Sequence, residues 1–208
     1  MRITLPHIGD DEVLIWDIAS GTELVRLTGH TDRIHEVAFS PDGQILALGF
    51  DDSNIKLWNI KNGNAIAVFT GHAGAVNGVV FSHDGKYLAS GSDEDVGVQL
   101  WDLESGKEVV KYYDADNSDI SVVFSPDGKW LVSGSASNIS YSGNIRMWDI
   151  KSKTEIASLG DHIGLSSNVA LSPNGKLLAC TRNNSVCLWD IKSGTVVKTL
   201  SGYSSRTC

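Results

Sequence analysis

A histidine, a serine and an aspartate follow one another as His72, Ser90 and Asp95, with Trp101 close behind. These are the residue types of nucleophilic hydrolysis, in which an imidazole takes the proton of a hydroxyl and a carboxylate orients the imidazole. The same types also build inert buried networks. An imidazole offers two ring nitrogens, which a hydroxyl and a carboxylate can satisfy, while an indole N–H needs an acceptor. Partial copies of the set recur along the chain, and recurrence favours structure over chemistry, because a reaction needs its residues once. Other reactive patterns are weak. The acidic run Asp114, Asp116 and Asp119 resembles a calcium loop poorly, with Asp119 where glycine belongs and Ser125 where the closing glutamate belongs. The chain has no glycine-rich phosphate loop, His-Glu-x-x-His, paired-cysteine metal spacing or nucleophile elbow, so neither a cofactor nor a metal is expected.

The elements that must position these residues are short strands. From Gly71 to Asp102 the chain reads as two apolar runs, Val76 to Phe81 and Tyr87 to Ser90, joined by the turn Ser82-His83-Asp84-Gly85. Val98 to Leu103 and Glu108 to Tyr112 give a third and a fourth strand around the turn cluster Glu104-Ser105-Gly106. One unit is therefore a four-stranded antiparallel sheet with two apolar faces. Such a sheet buries neither face alone and has to stack on copies of itself.

The copies are present. Trp16, Trp58, Trp101, Trp148 and Trp189 recur at spacings of 42, 43, 47 and 41, four of them followed by Asp and one by Asn59. In phase with them run Ser40-Pro41-Asp42-Gly43, Ser82-His83-Asp84-Gly85, Ser125-Pro126-Asp127-Gly128 and Ser172-Pro173-Asn174-Gly175. With Gly-His at Gly29-His30 and Gly71-His72, the chain resembles the WD-repeat family of β-propellers over nearly its whole length. The resemblance implies an all-β fold of propeller blades, each with strands a to d from the centre outward.

It also implies a network in each blade: a His before strand a, a Ser or Thr on strand b, an Asp in the b–c turn and the Trp of strand c. His72, Ser90, Asp95 and Trp101 fill all four places. The preceding blade keeps His30, Asp52 and Trp58, with Leu48 where the hydroxyl belongs. The next keeps Ser133 and Trp148, with Ser142 for the turn Asp and Asp114-Ala115-Asp116 for Gly-His. The last keeps His162 and Trp189, with Asn183 or Asn184 near the Asp place and Ala179 or Cys180 near the Ser place. Ser133 to Trp148 is 15 residues against 11 for Ser90 to Trp101, and the insert Ser135 to Gly143 is expected to form an enlarged b–c loop. The family uses the face of the b–c and d–a loops, its top face, for binding. On this chain that implies Thr31, Arg33, Asp51, Ala75, Glu94, Tyr141, Leu165 and Arg182 as candidate contacts. His7, His35 and His83 are unpaired by spacing and expected at the surface.

The expected organisation is a partial blade at 1–28 with strands c and d, blades at 29–70, 71–113, 114–159 and 160–201, and a tail at 202–208. Too little sequence supplies the inner strands of the partial blade, so an open array is expected, with self-association or completion of the ring by further repeats. At net charge −8 a nucleic-acid or anionic-membrane partner is not expected. The start lacks the apolar core of a signal peptide, which makes the cytoplasm the expected compartment. Cys180 and Cys187 fall on neighbouring strands and are expected as inert buried thiols. The resulting expectation is a non-catalytic interaction scaffold for a protein or peptide. The alternative is a part of a larger enzyme or ligand-binding propeller that uses the central channel.

Overall fold

The computed structural model describes residues 2–4, 12–28, 32–92, 94, 97–113, 118–137, 142–159, 168–182 and 185–201. Its strands are cut by two kinds of turn, each enforced by its own side chains. In the first, Ser40 Oγ donates to Asp42 Oδ1 (2.6 Å) and accepts from the Ile45 N–H (2.9 Å), with Gly43 at φ 68°. The same bonds recur at Ser82 with Asp84, Ser125 with Asp127 and Ser172 with Asn174. In the second kind, the residue after the repeating Trp caps the turn: Asp102 Oδ1 accepts from Ser105 N and Ser105 Oγ, both at 2.7 Å. Four residues on, the backbone enters the left-handed region at Gly21, Gly63, Gly106 and Gly194. In the equivalent place Lys153 has φ 61°, a conformation that costs a side-chain-bearing residue roughly 1 to 2 kcal/mol.

These turns fold the chain into five antiparallel meanders. The first sheet holds β1 (Arg2–Thr4), β2 (Glu12–Trp16) and β3 (Glu23–Thr28). The second holds β4 (Ile34–Phe39), β5 (Ile45–Phe50), β6 (Asn54–Asn59) and β7 (Asn64–Thr70). The third holds β8 (Val76–Phe81), β9 (Tyr87–Ser92), β10 (Gly97–Asp102) and β11 (Lys107–Tyr113). The fourth holds β12 (Ser118–Phe124), β13 (Trp130–Ser137), β14 (Ser142–Asp149) and β15 (Thr154–Ser158). The fifth holds β16 (Val169–Leu171), β17 (Leu177–Arg182), β18 (Ser185–Asp190) and β19 (Thr195–Ser201). The first strands of successive complete sheets, β4, β8, β12 and β16, lie side by side and form the inner edge of the array.

Apolar residues of facing sheets fill the space between them. Phe69, near the end of strand d, stacks on Trp101 of the next sheet with ring centroids 5.2 Å apart, and Tyr112 meets Trp148 at 4.9 Å with the rings tilted by 30°. Leu27 joins the cluster of Trp58, and Leu159 that of Trp189. The rule ends at Leu200. It stands where Tyr112 stands in the third sheet, yet is 37% exposed against 3%. Ala179, Val186 and Leu188 are half-buried, whereas their counterparts Ala89, Val98 and Leu100 are buried. At the other end Trp16 is half-buried while Trp58, Trp101, Trp148 and Trp189 are buried. The array is unclosed. Among the described residues, β1 to β3 make no strand pairing with β16 to β19.

Two expectations about local structure are corrected. The N-terminal unit has a third strand, because Arg2–Thr4 pairs antiparallel with Leu14 to Trp16 in the place of strand b. The insert of the fourth sheet lengthens its central hairpin instead of forming a broad loop. β13 and β14 each run eight residues, where the third sheet's equivalents run six, and pairing continues through Ala136 with Gly143 to Ser137 with Ser142. Ser142 is accordingly a strand residue.

The turn aspartates make a pH prediction. The Ser40, Ser82 and Ser125 hydroxyls hold the Asp42, Asp84 and Asp127 carboxyls below the usual range, and the Ser105 hydroxyl does the same for Asp102. The backbone N–H groups of Ser20, Ser152 and Ser193 lower Asp17, Asp149 and Asp190. A carboxyl lowered in the fold contributes stability that is present above its unfolded value, about 3.9, and lost as pH falls through the folded value. The urea midpoint should therefore drop below about pH 4. Asn174 keeps the serine bond without titrating. Changing Asp42, Asp84 and Asp127 together to Asn should flatten the acid limb, and an unchanged limb would contradict this origin.

Candidate functional site

The third sheet brings the reactive-looking residues together. Ser90 on β9 lies opposite Gln99, one turn of the pleat from Trp101, so both side chains point to the same face. Trp101 Nε1 donates to Ser90 Oγ at 2.8 Å, and His72 Nε2 lies 2.7 Å from the same oxygen. An indole can only donate, so Ser90 accepts from Trp101 and has its own proton free for the imidazole nitrogen. That bond order serves a structural network and a hydrolytic serine alike, so burial decides between them. Ser90 is 0% exposed, with its oxygen enclosed between an indole and an imidazole, and no acyl group can reach it. Asp95, the expected carboxylate, lies outside the described residues.

The other sheets keep parts of this geometry. Trp148 Nε1 donates to Ser133 Oγ at 2.9 Å, and both residues are buried. In the second sheet the register puts Leu48 at the hydroxyl place below the buried Trp58. Asp52 caps the b–c turn, accepting from Asn54 N at 3.1 Å and facing Lys56 Nζ at 4.0 Å. In the fifth sheet the register selects Cys180, not Ala179, for the serine place. Its thiol is pushed up to about 11 by burial, against the lowering influence of the nearby Trp189 indole, whose Nε1 has no hydrogen-bond partner among the described residues. Cys180 and Cys187 face each other across β17 and β18 as free, buried thiols. His30 and His162 lie outside the described residues.

At the end of the sheets where the b–c turns and d–a connections lie, one cluster was not legible from spacing. Asp51 N donates to Arg33 O at 3.0 Å, which ties the b–c turn to the entry of β4. His35, read as unpaired, instead places Nε2 in contact with Asp51 Oδ1. The cause is a bulge: Ile34 pairs with Phe50 and Glu36 with Gly49, leaving His35 out of the ladder with its side chain re-aimed. Beside it, burial pushes the Glu36 carboxyl up, although Oε1 accepts from Val37 N at 3.1 Å. Arg33, Asp51 and Glu94 are exposed and Ala75 is half-buried. Thr31, Tyr141 and Leu165 lie outside the described residues, and Arg182 is placed only as the last residue of β17.

Four stretches, 21–59, 63–102, 107–149 and 153–190, match the family model described as WD domain, G-beta repeat. The chain belongs to the WD-repeat family. Each matched WD unit begins at or beside strand d of one sheet and ends with strand c of the next, as 63–102 does from β7 to β10. The sequence repeat thus straddles two blades and ties each to its neighbour by a covalent connection. Similarity to individual proteins is local. Over 38 residues, 18% of this chain, it is 53% identical to Coronin-7 of Rattus norvegicus, 55% to that of Bos taurus and 50% to that of Homo sapiens. The match spans 4% of the length of each of these relatives.

Proposed function

We propose that this WD-repeat chain is a non-catalytic, cytoplasmic scaffold that binds a protein or peptide across the face of its b–c turns and d–a connections. The supporting observation is the cluster of Arg33, His35 and Asp51, in which a backbone bond ties Asp51 to Arg33 and the His35 ring holds the exposed Asp51 carboxylate. Fixed polar groups lose little entropy when a partner docks. WD repeats generally mediate protein–protein contacts, and the enclosed Ser90 oxygen removes the most enzyme-like set from consideration as a nucleophile. Capture of partners from native lysate, repeated with Arg33→Glu and Asp51→Lys, tests the reading. Loss of the captured protein with an unchanged urea midpoint supports it. Turnover or tight binding of a small molecule, with no protein captured, supports a channel site around Glu36 instead.

The end faces bear on self-association. Val186, Leu188 and Leu200 at one end and Trp16 at the other present the residue types that bind neighbouring blades inside the array. In the isolated chain a second copy supplies the complementary face, and such head-to-tail contacts do not close after two copies. Sedimentation velocity should show a coefficient that rises with concentration, and Leu200→Glu should suppress the rise. A monomer of constant coefficient for the unaltered chain would contradict this expectation.

A further inference from the structure

Between the third and fourth sheets, at the end opposite the b–c turns, lies a cleft of about 630 Å³. Its apolar surface comes from Tyr87, Val109 and Ile150, and Lys129, Lys151 and Lys153 stand around it. Every junction between blades is built from the same positions, so the others serve as internal controls. The residues equivalent to the three lysines are Gln44, Lys61 and Gly63 at the first junction and Lys86, Glu104 and Gly106 at the second. At the last they are Lys176, Lys192 and Gly194. Only this junction gathers three cations, in a chain of net charge −8.

The third cation is held under strain. Lys153 occupies the left-handed position that the other four repeats give to glycine, and its Nζ donates across the junction to Val109 O at 3.1 Å. Strain of this kind gathers at sites that bind or switch, which makes Lys153 a pointer to a ligand. The lysines are engaged only in part. Lys129 Nζ lies 3.4 Å from Asp127, and Asp149 Oδ1 in the wall accepts from Ser152 N at 2.6 Å, its negative charge offsetting one of the three cations. An ammonium has three protons, so one contact leaves donors for a ligand.

We propose that this cleft binds a short acidic peptide segment of a partner protein, with apolar side chains on Tyr87, Val109 and Ile150 and carboxylates on Lys129, Lys151 and Lys153. Both halves of the surface are then matched. The volume lies within the range of sites that enclose a few side chains. The site is on the opposite face from the contacts proposed above, so the two readings stand or fall separately.

Fluorescence anisotropy of a labelled peptide alternating glutamate with valine tests the proposal on the full chain. A peptide alternating lysine with valine and a labelled oligouridylate serve as the other arms. The acidic peptide should bind saturably and more tightly than either, and Lys129→Glu combined with Lys151→Glu should weaken it about tenfold. Lys153→Gly separates binding from folding: its urea midpoint should rise while its affinity falls about threefold. Equal binding by the charge-reversed variant, no saturable binding of the acidic peptide, or tighter binding of the oligouridylate would each overturn the assignment.

Discussion

Replacing Trp101 with alanine is expected to lower the unfolding free energy by about 3 to 5 kcal/mol, whereas His83→Ala should change it by less than about 0.5 kcal/mol. The contrast follows from what each side chain touches. Trp101 is 3% exposed, stacks on Phe69 of the preceding sheet and donates its N–H to Ser90, so its removal empties an interface and leaves the buried Ser90 oxygen short of a donor. His83 is exposed at the tip of a turn whose bonds are made by Ser82 and Asp84. Urea unfolding of the two variants measures the difference. Equal midpoints would mean that the stacking of Phe69 on Trp101 does not hold the third sheet to the second.

The second large effect is expected at Gly49→Ala. A methyl group there would lie 2.5 Å from Val76 O and 2.9 Å from Val76 Cγ1, on the inner strand of the next sheet. Because the nearest obstacle is backbone, rotation of a flexible side chain cannot relieve it, and the two sheets have to separate. Overpacking of this kind costs about 1 to 3 kcal/mol. The conformation of Gly49 itself is not in question, since its φ is not in the left-handed region. A urea midpoint within error of the unaltered chain would show that sheets two and three stand further apart than described.

Local signals were legible in the sequence, and signals from pairing between segments were not. The Ser-Pro-Asp-Gly turns and the Trp-Asp caps act within a few residues, so their period revealed the sheets and their number. Arg2–Thr4 is too short to announce itself as a strand, and its place depends on the register with β2 across residues 5–11. The hairpin of β13 and β14 has the sequence of a loop because Ser, Ala and Gly carry little strand preference, while backbone pairing extends it regardless. The partner of His35 is hidden in the sequence because spacing cannot reveal a bulge. The choice between Ala179 and Cys180 was settled by register alone. The cleft joins residues of two sheets, yet its one odd member, Lys153, was visible as the single repeat without glycine at that place.

Whether His72, Ser90 and Trp101 serve structure or chemistry is tested most directly by Ser90→Ala, assayed for urea unfolding and for partner capture on the same preparation. The substitution removes the acceptor of Trp101 and the neighbour of His72 in a buried site, so a loss of about 1 to 3 kcal/mol is predicted, with capture undiminished at a temperature where the variant is folded. An unchanged midpoint together with lost capture or lost turnover would contradict the structural role and return the set to the active-site reading.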